Sequence, residues 1–413
     1  MRVHIVDPSA YTPPYDHALC SALAAAGAEV DLYTSRFNYG PAPAPRGYVR
    51  HEHFYRLAHG AFGSRSAGSA PAAAPGPRSH VGQAAKLLEH VPDMLRYRRL
   101  AQSADIVHFQ WLTVQPLDLH LLPRRLPGSR GPRLVLTAHD IMPREPRPGQ
   151  RAAQARLYER FDAIVVHSEH GRARLTDELG VDGRRVHVIP HGVLAPWSGG
   201  QATEPASSTN GAGLPPGFAE FDGTVALFIG LLRPYKGLDL LIEAWRALER
   251  RSASLPAGDG AEHRRELWVV GMERMDIGAL RAQAPGDVRF LTRFVSDAEL
   301  GAFLRRADLV VLPYREIDAS GAAFSALGAA APLLLSDAGG FPEIAATGAA
   351  RTVPAGDPKA LAAALGELLA DPGARARMAQ QARAAAGGVY GWEGIAATTL
   401  ELYGRLLGEN PGG

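Results

Sequence analysis

Short runs of β-branched and aliphatic residues recur along this chain at intervals that leave room for a helix between them. That spacing limits the fold more than any other feature. In the first half the runs fall at residues 3–6, 29–33, 106–109, 134–137, 163–167 and 186–189. Amphipathic stretches at 17–26, 85–100, 151–160 and 169–179 lie between most of them. The runs are apolar throughout rather than alternating, as strands buried on both faces are. Parallel neighbours need a crossover of a dozen or more residues, usually a helix. The expectation is a parallel sheet with helices on both faces.

The pattern stops near Leu194. Residues 199–217, GGQATEPASSTNGAGLPPG, are polar and aperiodic and read as a flexible linker or exposed insertion. A second series follows, with strands expected at 225–229, 267–270, 288–291, 309–313 and 332–336. Its helices are expected at 238–249, 297–306 and 358–369, and a last amphipathic helix at 392–407. Ser296, with Glu299 three residues on, is a capping-box signature for the helix at 297. A chain of 413 residues exceeds one ordinary core. The division expected is a domain at 1–194, a linker at 195–222, a domain at 223–386 and a terminal helix at 387–413. A second low-complexity stretch, residues 60–80, reads as a loop of the first domain.

Composition narrows the classes. Hydrophobic residues are 46% and charged residues 21%, values ordinary for a globular protein. A formal net charge of +2 does not make a polycation built for nucleic acid. The balance is uneven, with 24 Lys and Arg against 17 Asp and Glu up to residue 200, and 20 against 25 afterwards. The basic half fits an anionic or membrane-borne acceptor, and fits equally a solvated arginine-rich face. One cysteine, Cys20, allows neither a disulfide framework nor a cysteine zinc site within the chain. No run is apolar enough for a signal core or a bilayer span. A cytoplasmic location is expected, with peripheral contact at the inner face of the membrane as an option. No metal is expected.

Ligands of open α/β sheets bind beyond the C-terminal strand ends. The loops expected there include GLLRPYKG (230–237), PYREIDASGAAFSALG (313–328), DAGGFPE (337–343), AHDIMPRE (138–145) and PHG (190–192). Arg233 offers a planar fork of donors and Lys236 a compact point charge. Together they suit a diphosphate. The competing reading is two surface cations. Ser320, Gly321 and Ala322 open an expected helix whose N-terminal amides suit a phosphate. Neither a P-loop nor a G-x-G-x-x-G after the first strand is present. His139 and Asp140 follow an interior strand, where neighbouring side chains point apart. His108 and His191 read equally well as satisfied structural histidines.

Together these segments carry a family likeness. DPSAYTPPYDHALC, ADIVHFQW, LTAHD, HSEHGRARL, VHVIPHGV, FIGLLRPYKGLDLLIEAW, ADLVVLPY, APLLLSDAGGFPEI and YGWEGIAATTLELY match in order and spacing across almost the whole chain. The chain resembles the retaining glycosyltransferases of family 4. The resemblance implies a GT-B α/β fold: two facing Rossmann-like domains with parallel sheets and an inter-domain cleft. It implies a nucleotide-diphosphate sugar as co-substrate, no other cofactor, and a glycan, lipid-linked or small-molecule acceptor. In the family an arginine and a lysine stabilise the departing diphosphate. Lys236 is in the lysine's register, while Leu231 holds the arginine's and Arg233 lies near it. His139 matches the family's histidine near the transferred sugar. Donor contacts are expected at Ser320, Gly321, Ala322, Asp318, Glu316 and Gly230, and acceptor contacts at Tyr15, Asp16, His108 and Asp140.

The chain departs from the family in places. The paired-glutamate positions hold Ile317 and Ser325, as in a branch where a Ser-Gly turn takes over, and Glu316 and Asp318 flank the first. Ala330 stands where the family has a glycine, and PSAYTPPY replaces the Gly-rich loop after the first strand. Two alternatives stay open: a non-catalytic nucleotide-sugar-binding partner of another transferase, and another nucleotide-sugar enzyme such as an epimerase.

Overall fold

The first strand pairs with strands on both sides, and the rest of the first sheet grows outward from it. The computed structural model describes residues 1–37, 42–58, 80–123, 131–142, 149–194, 213–253 and 264–408. The strands of the first sheet are β1 (Arg2–Asp7), β2 (Glu29–Ser35), β3 (Val49–Phe54), β4 (Ile106–Phe109), β5 (Arg133–Thr137), β6 (Ala163–Val166) and β7 (Val186–Val188). They are all parallel, in the order β3-β2-β1-β4-β5-β6-β7. The second sheet holds β8 (Thr224–Ile229), β9 (Arg265–Val270), β10 (Val288–Leu291), β11 (Leu309–Leu312), β12 (Leu333–Ser336) and β13 (Ala350–Val353). Its order is β10-β9-β8-β11-β12-β13, also parallel. Both sheets are Rossmann-like, and in each the strand order reverses beside the first strand. The crevices at β1/β4 and β8/β11 are the places where such sheets hold ligands.

The chain separates into two compact units, Met1–Gly192 with Val389–Gly413, and Val193–Gly388. The terminal helix Trp392–Leu407 belongs to the first unit and packs on helix Pro13–Ala25, burying Ile395, Ala396, Leu402 and Tyr403. Of the expected linker at 195–222, residues 195–212 lie outside those described, as do residues 60–79 of the expected loop. The rest of the linker is a correction. Phe218 and Phe221 are buried in the second unit, with ring centroids 5.0 and 6.4 Å from Trp268. Two phenylalanines behind a Pro-Gly turn have apolar surface to hide and close over the end of the core.

Central strands match their apolar runs to within two residues. Two edge strands carry no such run. β3 reads VRHEHF and is exposed at Val49, and β13 reads ARTV with Arg351 exposed. An edge strand needs to bury only part of its surface, so its sequence carries less of the signal. Helix Pro13–Ala25 starts four residues earlier than expected, because Pro13 and Pro14 suit first-turn positions that need no N–H donor. The stretch expected as one helix at 169–179 is Glu169–Ala173 followed by a π turn, Arg174–Glu178. No helix among the described residues is long and apolar enough to cross a membrane.

The capping box forms as the sequence indicates. Ser296 Oγ accepts from Glu299 N, and Glu299 Oε2 accepts from Ser296 N at 2.9 Å. Ser296→Ala should cost about 1 kcal/mol in urea unfolding. Ala330 adopts φ 56°, a left-handed conformation costly for an L side chain. Ala330→Gly should therefore raise stability, by up to about 1 kcal/mol in the same measurement.

Candidate functional site

The second unit's crevice opens where β8 ends. Gly230 takes φ +131°, and a Cβ there would lie 2.8 Å from Lys236 Nζ. At that φ an L side chain is strained, and the ammonium occupies the space a Cβ would face. The chain then makes one tight turn, Pro234–Lys236, and leaves it at Gly237 with φ +67°. A Cβ at Gly237 would lie 2.1 Å from the Pro313 carbonyl oxygen, so the turn passes directly against the end of β11. Lys236 is thereby buried to 9% exposure, with Nζ 4.8 Å from the centre of the Tyr314 ring. A cation over an aromatic face in partly desolvated surroundings keeps its charge at lower cost. Arg233 and Leu231 are exposed on the rim. The two cations that look alike in the sequence thus occupy different environments.

Arg315, on the loop after β11, holds the turn in place. Its backbone N–H donates to Tyr235 O at 2.7 Å, and its guanidinium donates to Pro234 O at 3.0 Å. The same guanidinium grips Asp239 through both carboxylate oxygens, at 2.9 and 2.6 Å. Burial is the largest single influence and raises the Asp239 pKa, but the Arg315 hydrogen bond, the Arg315 charge and backbone N–H groups together hold the carboxyl below its ordinary value. No local pattern links these two residues, which lie 76 positions apart.

Past Arg315, Glu316 is exposed, Asp318 half-buried, and helix Gly321–Gly328 begins. Ser320 is buried and its Oγ accepts from Ala323 N at 3.4 Å. The amides of Gly321 and Ala322 precede the first intrahelical bond, and Gly321 is exposed. Ile317 and Ser325, at the paired-glutamate positions, are both buried. The carbonyl of Ile317 lies against Gly339, in the loop after β12. Loops 230–237 and 313–321 therefore meet at adjacent strand ends.

In the first unit, the ends of β4, β5 and β6 converge on a buried histidine cluster. His139 is stacked on Trp111 at 5.0 Å and touched edge-on by Tyr15 at 4.9 Å. Burial first, and then the neighbouring histidines, push its pKa well below the ordinary value. Burial takes His167 down to about 4. Neutral rings fix the protons. His167 Nδ1–H donates to Ile189 O at 3.0 Å, so its Nε2 accepts from His139 Nδ1–H at 3.2 Å. His139 Nε2 is then an acceptor and faces the Gln110 carboxamide at 3.1 Å. The Gln110 side-chain nitrogen is buried without a partner as placed, and turning the amide over lets it donate to His139. Gln110 and His167 escaped the sequence reading, although both lie in segments quoted for the family likeness.

Two expected acceptor contacts, His108 and Asp16, are corrected, and a third, Tyr15, is largely buried. His108 is buried with both nitrogens taken, Nδ1 by Tyr403 at 2.6 Å and Nε2 by Thr137 at 2.7 Å, so it is a structural histidine. Tyr15 is buried, with its ring against His139, His191 and Trp392. Asp16 is buried against Asp7. Asp7 accepts backbone N–H bonds from Ser9, Tyr11 and Thr12 at 3.3, 2.6 and 3.2 Å. It shapes the loop that stands in place of the Gly-rich one. Asp140 is exposed beside buried His139, as alternation requires. Among the described residues no group of three His, Cys, Asp or Glu is placed to hold a metal ion.

Comparison with known proteins adds to this geometry. Residues 15–194 match the family described as Glycosyltransferase Family 4, and residues 223–371 match Glycosyl transferases group 1. The D-inositol 3-phosphate glycosyltransferase of Kineococcus radiotolerans is 28% identical over 340 residues, which cover 75% of this chain and 73% of that one. Its counterpart in Xylanimonas cellulosilytica is 28% identical over 311 residues, covering 73% and 70%. Sucrose-phosphate synthase from Thermosynechococcus elongatus superposes with a TM-score of 0.67 at 18% identity, over 99% of this chain and 100% of that one. Anabaena HepE in complex with UDP-glucose gives 0.66 at 15% identity, over 98% and 100%. At these identities the structural likeness is one of fold.

The Asp7–Asp16 pair yields a pH test. Burial raises both carboxyls, and Asp16, which hydrogen-bonds to Asp7, is raised well above its ordinary value. A carboxyl raised in the folded state stabilises most at low pH and loses that contribution as pH rises through its folded pKa. Asp16→Asn, which cannot ionise, should gain on the wild type steadily in thermal melts from pH 4 to pH 8. Asp16→Ala, which leaves Asp7 buried without that partner, should cost about 3 kcal/mol.

Proposed function

This chain belongs to the glycosyltransferases of the family 4 type, and from that membership we propose that it transfers a sugar, with retention and without a metal ion, from a nucleotide-diphosphate sugar to an acceptor hydroxyl. The observation that carries the reading is Lys236, an ammonium held at the mouth of the β8/β11 crevice by Gly230, Gly237 and the Tyr314 ring. A cation fixed in partly desolvated surroundings is ready for charge that develops as a diphosphate leaves, and it needs no reorganisation at that moment.

In this reading the second unit holds the donor. Lys236 faces the diphosphate, Arg233 adds a second positive charge from the rim, and the open amides of Gly321 and Ala322 take up a phosphate oxygen. Ser320 keeps that helix end in shape. Arg315 acts through the turn that carries Lys236. As the bond between the anomeric carbon and the phosphate oxygen breaks, its electron pair goes to the diphosphate. The acceptor oxygen bonds to the anomeric carbon on the same face, and its proton passes to the departing phosphate oxygen. Charge and atoms balance with a nucleoside diphosphate and a glycoside as products. His139, neutral and locked through Gln110 and His167, serves the first unit's side of the reaction without itself carrying charge. The substrates named for the relatives support a UDP-sugar donor and a phosphorylated polyol as acceptor.

Lys236→Ala should lower transfer by roughly a hundredfold or more. UDP release from UDP-glucose, with D-inositol 3-phosphate as the acceptor probe, measures the rate, and a thermal melt checks the fold. Wild-type turnover in a folded Lys236→Ala protein would sink the proposal. UDP binding by the wild type without turnover, across a panel of UDP-sugars and acceptors, would favour the non-catalytic partner instead.

A further inference from the structure

Helix His80–Leu100 carries an apolar face that the first unit does not cover. Leu87, Leu88, Leu95 and Leu100 are exposed along it, Leu88 to 79%. Among the described residues no other helix has more than one exposed large apolar side chain. Leu57, in the segment after β3, is 78% exposed, and its backbone N–H donates to Glu89 of this helix at 2.8 Å. Leu88, Pro92, Leu95 and Arg99 follow the i, i+4, i+7, i+11 spacing of one helical stripe, and all four are exposed. On the opposite side His90, Asp93, Met94 and Tyr97 are buried. One exposed leucine needs no explanation, but a row of them marks a surface that meets something other than water.

The charges of this helix are sorted by side. Its two acids, Glu89 and Asp93, are both buried and committed to backbone N–H groups. Glu89 accepts from Leu57 and Ala58, and Asp93 from Tyr55, each at 2.8 Å. Its cations lie on the outer side, where Lys86, Arg96 and Arg99 are exposed and Arg98 is half-buried. Arg96 reaches back to Asp93 at 3.0 Å. Among the described residues neither Arg98 nor Arg99 is in an ion pair. Arg56, beside Leu57, is exposed as well. The outer face of the helix therefore offers aliphatic side chains and positive charge, and no carboxylate.

That combination fits the boundary layer of a bilayer. Leucines gain by leaving water for the acyl region just below the headgroups, and arginines gain from anionic headgroups above it. A protein partner is favoured by aromatic anchors instead. Tyr97 is the only Tyr, Phe or Trp of this helix, and it is buried.

We propose that the first unit docks on an anionic membrane surface through the outer face of helix His80–Leu100. Leu88 and Leu95 enter the boundary layer, and Arg98 and Arg99 meet headgroup phosphates. The helix lies along the surface and does not cross it, because its inner side is held in the unit's core. Docking of this kind does not depend on the transferase reading.

Sedimentation of the full chain with vesicles tests this, using phosphatidylcholine with and without phosphatidylglycerol. The wild type should pellet with the phosphatidylglycerol vesicles, less with phosphatidylcholine alone, and less in high salt. Leu88→Glu and Leu95→Glu should each weaken binding about tenfold. Arg98→Gln and Arg99→Gln should each weaken it roughly fivefold. The leucines are surface residues, so melting temperature should hold in their variants. Val389→Glu, at an exposed apolar residue outside the helix, should bind as the wild type does. No vesicle binding by the wild type, or unchanged binding in a Leu88→Glu/Leu95→Glu double variant, would overturn the proposal. So would a wild-type dimer in solution that the double variant breaks, since a second copy then covers the face.

Discussion

Placing one ammonium at the mouth of a parallel sheet is the constraint around which the second unit is arranged. A buried lysine is costly unless its charge is balanced or its surroundings are polar. Here an aromatic face lies on one side of Lys236 and the glycine-lined turn on the other. The turn passes close to Pro313, which requires Gly237, and the ammonium lies against Gly230, whose φ of +131° suits glycine. Arg315 then ties the turn to the neighbouring loop. Each of these residues helps fix the position of Lys236, and each is explained by it.

The first unit uses the same strand order for a different electrostatic end. Its crevice is lined with groups kept from carrying charge. The histidines are neutral through burial, and Asp16 is pushed toward its protonated form. Polar side chains buried in this way persist because each finds a hydrogen-bond partner: Gln110 to His139 to His167 to Ile189, and Tyr55 to His90 to Asp118. Such chains fix the orientation of strand-end side chains without placing net charge beside them. The terminal helix joins in through Tyr403 on His108 and Trp392 on Tyr15 and Gly192. A segment almost three hundred residues from β4 in sequence therefore helps set the geometry of its end.

How far the sequence could be read depended on what each segment has to bury. Central strands must be apolar on both faces, so they showed as continuous runs, and the capping box at Ser296 and Glu299 is local and was readable for that reason. The edge strands β3 and β13 face fewer neighbours and left weaker runs. Phe218 and Phe221 were lost within a Gly/Pro-rich surrounding, although two aromatic residues are a sign of burial. The lysine of the turn was visible by its register. The difference between Lys236 and Arg233 was not, because exposure is set by where Pro313 and Tyr314 come to lie.

The sequence by itself determined two parallel α/β units, their strand-end loops and the family likeness, because hydrophobic periodicity and motif register are local properties of the chain. Tertiary structure alone decided which of the polar residues on those loops are buried and which stay open. His108, Tyr15 and Asp16 carry the right chemistry for a site, yet each is buried, and Tyr55, His90 and Asp118 carry no motif, yet form one connected chain. Hydrogen-bond partners and burial depend on groups brought together from distant positions, and a side chain's chemistry becomes a function only once those partners have left it an atom to offer.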